Sequence, residues 1–294
     1  MTTCGQTLGR VLVGEQGNAM MKDVVVSLSV AGTRDVAADY ALSVAGAFDA
    51  HVTGVAFAYE PVITGTAMGG IPASLIESSR AESRNAAKAA TARFEKAETA
   101  GVSVETRIVD ATLVGAADLF GRIARRFDIS VVAQAEPNRA GAQDLMIEAA
   151  LFQSGRPVIV VPYIQKAGLT LDRVLIGWDG SRTAARAIGD SMPLLARAQA
   201  VDIVIVATER AKSDEITGAA IARHLARHGL SVDVKRIPAG DNNVANTILS
   251  YAADSGTDFM VMGGYGHSRL REWVLGGATR GILQSMTVPV LMAH

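Results

Sequence analysis

The chain has 294 residues, a hydrophobic fraction of 49% and a formal net charge of −1. This length predicts two domains of ordinary size, and the near-neutral charge gives no support to a nucleic-acid partner. The single cysteine, Cys4, excludes an intrachain disulfide. Because no apolar run reaches the roughly 18–20 residues of a membrane span, we expect a cytoplasmic protein without a membrane partner.

Along the chain, residues 1–21 come first and fit no repeated pattern. Their longest apolar piece is too short for a signal peptide, so we expect a flexible N-terminal extension. Two similar blocks follow, at Lys22–Pro61 and at Leu171–Arg210. Each has the pattern of a strand, a turn of small residues, an amphipathic helix and a second strand.

The rest of each half alternates helices and apolar strands until a fifth strand ends it. This repeat predicts a first domain at 22–165 and a second at 171–294, joined by a short connection. Alternating strands and helices indicate an α/β fold with a parallel sheet covered on both faces. For each five-stranded sheet we expect the strand order 3-2-1-4-5.

Several local features refine this prediction. The first half carries an extra stretch, Glu60–Ser79, which is either an ordinary surface loop or a lid or interface segment. In the second half, the first helix is predicted to bury Ala185, Ile188, Met192 and Leu195. A later helix is predicted to bury Val244, Ile248, Leu249 and Ala252, and to end at Gly256.

Two unusual loops of the second half meet at its topological switch point, where open α/β sheets bind ligands. Strand 1 ends at "GWDGS", Gly177–Ser181, and strand 4 leads into the glycine-rich segment Met262–Gly281. Gly263, Gly264 and Gly266 are expected to adopt positive φ and to present bare N–H groups. The following helix begins near Gly276, where its free N–H groups would favour an anion. A phosphate chain is therefore expected between the two glycine groups.

Other sites are poorly supported. A Walker A loop is absent, because no lysine follows Lys235, and no nucleophile or general base is evidently placed for catalysis. Asp179 either contacts a ligand or caps the helix that follows it. His267 has the character of a polar loop residue, and Arg269 either offers positive charge to a ligand or faces solvent.

At Gly263, Gly266 and Gly276 the sequence G-x-x-G-(nine residues)-G follows an apolar strand and precedes "VPVLM". This arrangement resembles the ATP-binding signature of the universal stress protein family, and "VLIGWDGS" is similar to the family's first strand and turn. The resemblance covers about residues 22–294 as a tandem pair. It implies two Rossmann-like domains of the adenine nucleotide alpha-hydrolase-like kind.

The resemblance also implies roles for individual residues. Asp179 would contact the adenosine, Ala207 and Thr208 the adenine, and the first glycine group the ribose and α-phosphate. The second group would hold the outer phosphates, with Mg²⁺ accompanying them. The full set of expected nucleotide-binding residues is Asp179, Ala207, Thr208, Gly263, Gly264, Gly266, His267, Ser268, Arg269, Gly276, Gly277, Ala278 and Thr279. No catalytic residue and no metal ligand of the protein is assigned.

Two departures from the family pattern matter. Gly277 stands where the family usually has Ser or Thr, and after strand 4 the first half reads "QAEPNRAG", without the glycine framework. We therefore expect a stress-response regulator with one site per chain, for ATP, ADP or AMP, in the second half. The alternatives are an interaction protein of the same fold that binds no nucleotide, and a weak ATPase.

The resemblance finally suggests how the two halves associate. Their last strands, Val158–Val161 and Val288–Met292, would contact each other in an intramolecular pseudo-dimer. Such apolar edges are otherwise hazardous when exposed. A further homodimer stays open, and the protein partner is unknown.

Overall fold

A computed structural model describes residues 21–61, 72–97, 101–135, 141–207, 218–239, 243–265 and 277–294. The first half contains β1 (Asp23–Ser27), α1 (Val36–Phe48), β2 (His51–Tyr59), α2 (Ala73–Lys96), β3 (Ser103–Ala111), α3 (Leu113–Ala124), β4 (Ile129–Ala133), α4 (Ala142–Gln153) and β5 (Val158–Val161). The second half contains β6 (Arg173–Gly177), α5 (Arg182–Leu195), β7 (Ala200–Ala207), α6 (Ala219–Arg227), β8 (Val232–Pro238), α7 (Val244–Ser255), β9 (Phe259–Gly263), α8 (Gly277–Ser285) and β10 (Val290–Ala293).

All these strands form one ten-stranded sheet, in the order β3-β2-β1-β4-β5-β10-β9-β6-β7-β8. Within each half the strands are parallel and follow the order 3-2-1-4-5, as predicted. The halves join at β5 and β10, which pair antiparallel with Ile159 opposite Leu291. The sheet therefore has approximate twofold symmetry about this central pair, and the carboxyl edge of one half lies beside the amino edge of the other.

The sheet separates two apolar cores. Helices α1, α2, α5 and α6 cover one face, and α3, α4, α7 and α8 cover the other. Central strands are buried on both faces, which explains why they are apolar throughout; Val24, Val25 and Val26 of β1 are all fully buried. Among the described helices, none combines the length and apolarity that a membrane crossing needs.

Helix α5 turns a slightly different face to the core than predicted. Ile188 and Leu195 are buried as expected, but Ala185 is exposed and Met192 is only half-buried. The buried face begins one residue earlier, at Thr183 and Ala184. The reason is a close contact between this first turn and the end of β9, described below.

Helix α7 follows its prediction more closely. Ile248 and Ala252 are buried, while Val244 and Leu249 pack partly buried against the same core. The helix ends at Gly256, whose φ of 68° is left-handed. Glycine adopts this conformation without the steric cost that a side chain would bring.

Part of the extra stretch in the first half is helical. We expected Glu60–Ser79 to precede the second helix, as a surface loop or as a lid or interface segment, but α2 begins at Ala73. Seven of those residues therefore lie in its first turns, and the predicted start of the helix was too late. Residues 62–71 lie outside the described parts of the chain, so both interpretations of that part stay predictions.

Candidate functional site

The carboxyl ends of β6, β7 and β9 meet at the predicted switch point. Gly177 at the end of β6 lies in register with Met262 on one side and with Val204 on the other. The turn containing Asp179 follows β6 directly, and Ala207 ends β7. The structure thus brings Asp179, Ala207 and the end of β9 to one edge of the sheet.

The turn after β6 leaves Asp179 free for another role. Its Oδ1 accepts a hydrogen bond from the Ser181 N–H (2.9 Å), and Gly180 between them has a φ of 76°. The cap of α5 is Ser181, whose Oγ accepts from the Ala184 N–H (3.1 Å). The interpretation of Asp179 as the helix cap is therefore wrong, and Asp179 is exposed beside the cap.

Residues Gly263–Tyr265, which we call the loop base, comprise the last residue of β9 and the two residues of the glycine-rich segment that follow it. A Cβ on Gly263 would lie 2.5 Å from the Ala184 nitrogen and 2.6 Å from Thr183 Oγ1. Neither Gly263 nor Gly264 has a positive φ, which corrects our expectation for both. Gly263 is instead required because the first turn of α5 packs directly against it.

Gly264 is constrained from two sides. Its N–H donates to the Ala293 carbonyl (2.9 Å), which continues the ladder between β9 and β10. A Cβ at this position would lie 2.7 Å from Leu151 Cδ2, in α4 of the first half. The amide of Gly264 is therefore not bare, and the expected contact of Gly264 with the ribose and α-phosphate stays a prediction.

Tyr265 links the two glycine groups. Its φ is 51°, which is uncommon for a residue with a side chain, and its N–H donates to Thr279 Oγ1 (3.2 Å). Thr279 lies in the first turn of α8 and is only 4% exposed. This hydrogen bond holds the N-terminus of α8 beside the loop base, and it engages the Thr279 hydroxyl within the protein.

Two glycines of α8, Gly277 and Gly281, differ in whether a side chain would fit at their position. A Cβ on the exposed Gly277 would meet no atom within 4 Å, whereas a Cβ on Gly281 would lie 2.6 Å from Ala245 Cβ in α7. Gly281 therefore serves helix packing, and Gly277 faces open space. Ala278 is half-buried between them.

The remaining expected residues cannot be placed. Six of them lie outside the described parts of the chain, namely Thr208, Gly266, His267, Ser268, Arg269 and Gly276. Their proposed roles stay predictions from the sequence.

The Tyr265 phenol is neutral over the physiological pH range. Burial raises its pKa to about 12, and the nearby carboxylates of Glu148 and Asp144 in α4 add to the effect, while Arg280 opposes it. Burial also raises the pKa of the Glu148 carboxyl. The first half thus contributes acidic as well as apolar groups next to the loop base.

In the first half, the position that corresponds to Gly264 of the loop base is occupied by a residue with a polar side chain, Gln134. Gln134 follows β4 where Gly264 follows β9, and both amides donate to the last strand of their own half (Gln134 N to Val161 O, 2.8 Å). The Gln134 side chain is buried and donates from Nε2 to the Leu283 carbonyl of α8 (2.8 Å). Its Oε1 accepts from the Tyr163 N–H (3.3 Å). No local sequence pattern indicates this role.

In the first half, both carboxylate oxygens of Asp35, which lies near the end of β1, accept hydrogen bonds from the backbone. Asp35 caps α1 by accepting from the Ala38 N–H (3.1 Å), and its second oxygen accepts from the Ser29 N–H (2.6 Å). Ser29 occupies the place of Asp179, since Leu28 and Trp178 make matching backbone bonds to β2 and β7. The first half therefore presents no free carboxylate corresponding to Asp179.

A cleft of about 370 Å³ in the first half lies between the start of α1 and the end of α2. Two of its cations are already engaged, Arg34 with Asp39 (3.2 Å) and Arg93 with the Ser29 carbonyl (3.1 Å). A third cation, Lys96, is exposed, and the cleft contains no equivalent of the loop base.

Comparison with known proteins agrees with this architecture. Residues 170–294 match the model of the universal stress protein family. A universal stress protein of Synechocystis is 29% identical over 141 residues, which are 46% of this chain and 46% of that relative. The match thus spans about half the length of each protein.

Solved structures match over nearly the whole chain. A universal stress protein from Archaeoglobus fulgidus superposes with a TM-score of 0.70 at 13% identity, covering 93% of this chain and 96% of that one. A protein of unknown function from Pseudomonas aeruginosa superposes with a TM-score of 0.55 at 15% identity, covering 94% of both chains. At these identities the structures show the fold alone. The second half of the chain is therefore similar to the universal stress protein family over residues 170–294, and the whole chain shares the fold of the solved universal stress protein.

Proposed function

We propose that this tandem universal stress protein binds one adenine nucleotide per chain, as ATP, ADP or AMP, at the switch point of its second half. It acts as a nucleotide-responsive stress regulator and not as a metabolic enzyme. The observation that carries the proposal is the bond from Tyr265 N–H to Thr279 Oγ1. It sets the N-terminus of α8 beside the loop base, at the same sheet edge as the exposed Asp179.

The residues present fit a nucleotide in part. The exposed start of α8 at Gly277 suits an anion, because the first N–H groups of a helix are unpaired and its dipole is positive there. The exposed Asp179 suits hydroxyl donors such as those of a ribose. The Gly264 amide and the Thr279 hydroxyl, by contrast, are already paired. Phosphate binding would therefore fall mainly to α8, with Mg²⁺ held by phosphate oxygens.

The hydrogen bonds that already occupy the Gly264 amide and the Thr279 hydroxyl favour a second candidate function. If the site holds no nucleotide, the chain is an interaction protein that uses the same fold as a rigid body. The replacement of the glycine framework in the first half by Gln134 shows that the fold tolerates its loss. Mass spectrometry of small molecules released from the purified protein separates the two functions, because only the first predicts a co-purified adenine nucleotide.

Calorimetric titration with ATP and Mg²⁺ tests the leading proposal quantitatively. We expect one site per chain, and we expect Asp179→Ala to weaken binding by about tenfold, since a hydrogen bond to a charged group contributes roughly 1.5–3 kcal/mol. Ser29→Ala is the matched control, because Ser29 holds the corresponding position in the first half; it should leave the affinity unchanged.

Three results would contradict the proposal. They are two equivalent sites per chain, full affinity in Asp179→Ala, or no ATP binding by the unmodified chain. Thermal unfolding of each variant, measured alongside, shows whether a lost affinity reflects a lost fold.

A further inference from the structure

The twofold arrangement of the sheet brings the end of α4 to the site of the opposite half. Helix α4 runs against the direction of β4 and β5, so it ends near Val158, the start of β5. Val158 lies opposite Met292 near the end of β10. The C-terminus of α4 therefore arrives at the carboxyl edge of the second half, where the loop base lies.

Two consecutive residues of α4 contact the loop base there. Leu151, which is buried, occupies the space beside Gly264 that a side chain would need. The Phe152 ring lies 4.9 Å from the Tyr265 ring and 4.9 Å from the His294 ring, measured between centroids. His294 Nδ1 in turn donates to the Gly264 carbonyl (3.0 Å). The first half and β10 thus hold the loop base from one side.

Tyr265 needs such support. A residue with a side chain at a φ of 51° is in a sparsely populated region, and it stays there only when its surroundings hold it. The hydrogen bond to Thr279 holds its backbone, and Phe152 holds its ring. Aromatic pairs at this separation are favourable beyond their burial.

The opposite end of the molecule lacks this arrangement. When Pro157 is aligned with Pro289, Leu151 corresponds to Leu283 and Phe152 to Gln284. The Leu283 carbonyl accepts from Gln134, and Gln284 is exposed. The aromatic contact across the interface is therefore specific to the edge that carries the glycine-rich segment.

We propose that the end of α4 positions the loop base for nucleotide binding, so that Phe152 of the first half is a positioning residue for the site of the second half. We call the contacts of Leu151 and Phe152 with the loop base the brace. The inference rests on the proposed function for its ligand, but the brace itself is a property of the free protein. It makes the first half, which lacks the glycine framework, a structural component of the site.

Full-length Phe152→Ala tests the inference with two readouts. The first is amide hydrogen exchange at Gly264 and Tyr265 without nucleotide, which we expect to become about tenfold faster than in the unmodified chain. The second is the affinity for ATP and for AMP, which should both fall by about threefold to tenfold. Both affinities are expected to fall equally, because ATP and AMP share the ribose and the α-phosphate that the loop base is expected to contact.

Matched variants separate positioning from a general effect on the fold. Phe152→Tyr keeps the ring and should restore both readouts, and Gln284→Ala, the counterpart in α8, should change neither. Since Phe152 is 45% exposed, the midpoint of thermal unfolding should move little in any of them.

Each outcome decides one question. Unchanged exchange at Tyr265 in Phe152→Ala overturns the brace, and faster exchange with full ATP affinity overturns the positioning role. If the unmodified chain binds no ATP while exchange still accelerates in Phe152→Ala, the brace is supported and the proposed function is the part that fails.

Discussion

At the scale of single residues, glycines that look alike in sequence have different physical reasons. Gly263 and Gly264 are required by close neighbours, the first turn of α5 and Leu151 of α4. Gly281 is required by Ala245 in the adjacent helix. Gly277 alone among these four has open space around it, so it is the position at which a side chain can be added without moving the protein.

Gly277→Ser should therefore raise the affinity for ATP. A Cβ fits there without contact, the added hydroxyl can donate to an outer phosphate, and a hydrogen bond to a charged group corresponds to a gain of about tenfold. AMP lacks the outer phosphates, so its affinity should stay the same. Calorimetry with both nucleotides checks this prediction, and an equal change for ATP and AMP would count against a phosphate contact at this position.

The sequence identified the glycines but not their partners. Their spacing pointed to the switch point, and the structure places the described ones there. The contacts that require them come from Ala184 and Leu151, which are far away in the chain, and no local pattern announces such an approach. For the same reason the buried role of Gln134 and the ring contact of Phe152 could not be predicted.

At the scale of helices and strands, local sequence predicted more. The strands and the end of α7 followed from apolar runs and from Gly256, which are local signals, whereas the strand order followed from the general rule for open α/β sheets. The phase of α5 was partly wrong because either Ala184 or Ala185 could face the core at its start, and the contact that buries Ala184 comes from the distant Gly263. The start of α2 was missed because Gly and Pro before it were taken as the signature of a loop.

The cap of α5 gives a prediction at this scale. Ser181→Ala removes the acceptor for the Ala184 N–H and should lower the free energy of unfolding by about 1 kcal/mol. Ser181→Asp keeps a capping acceptor and should retain nearly all of the stability. Denaturant unfolding of the two variants measures the difference; equal losses in both would mean that the cap contributes nothing measurable.

At the scale of the whole molecule, the two halves share one sheet and exchange side-chain contacts across the seam. Gln134 bonds to α8, and Arg186 Nη2 donates to the Gly155 carbonyl (2.8 Å). The connection between the halves is also held, because the Leu169 N–H donates to Ser43 Oγ in α1 (2.9 Å). The β5–β10 pair lies in the middle of the sheet and is fully buried except for Ala293, which is 1% exposed. We therefore expect the halves to unfold together.

Gln134→Ala tests this coupling. It leaves the part-buried Leu283 carbonyl and Tyr163 N–H without the side chain that pairs them, which costs about 1 kcal/mol. Both tryptophans, Trp178 and Trp273, lie in the second half. Their fluorescence transition in denaturant should nevertheless shift with this first-half substitution.

The control for that experiment is Gln153→Ala. Gln153 is exposed and bonds to Asp118 at the surface (2.8 Å), so its removal should change the unfolding midpoint little. A tryptophan transition that stays fixed in Gln134→Ala, while the helical signal of the chain shifts, would show that the halves unfold independently.

The central seam also determines which strands form the outer borders of the sheet. These are β3 and β8, and both carry charged side chains, with Glu105 and Arg107 in β3 and Asp233 and Lys235 in β8. Charged side chains on a border strand oppose the addition of a strand from another molecule. The apolar strands β5 and β10, which end the two halves, pair with each other and so satisfy their backbone hydrogen bonds within the chain. The charged strands β3 and β8 are left at the borders of the sheet. A second copy of the protein would consequently have to associate through its helical faces, and not by lengthening the sheet.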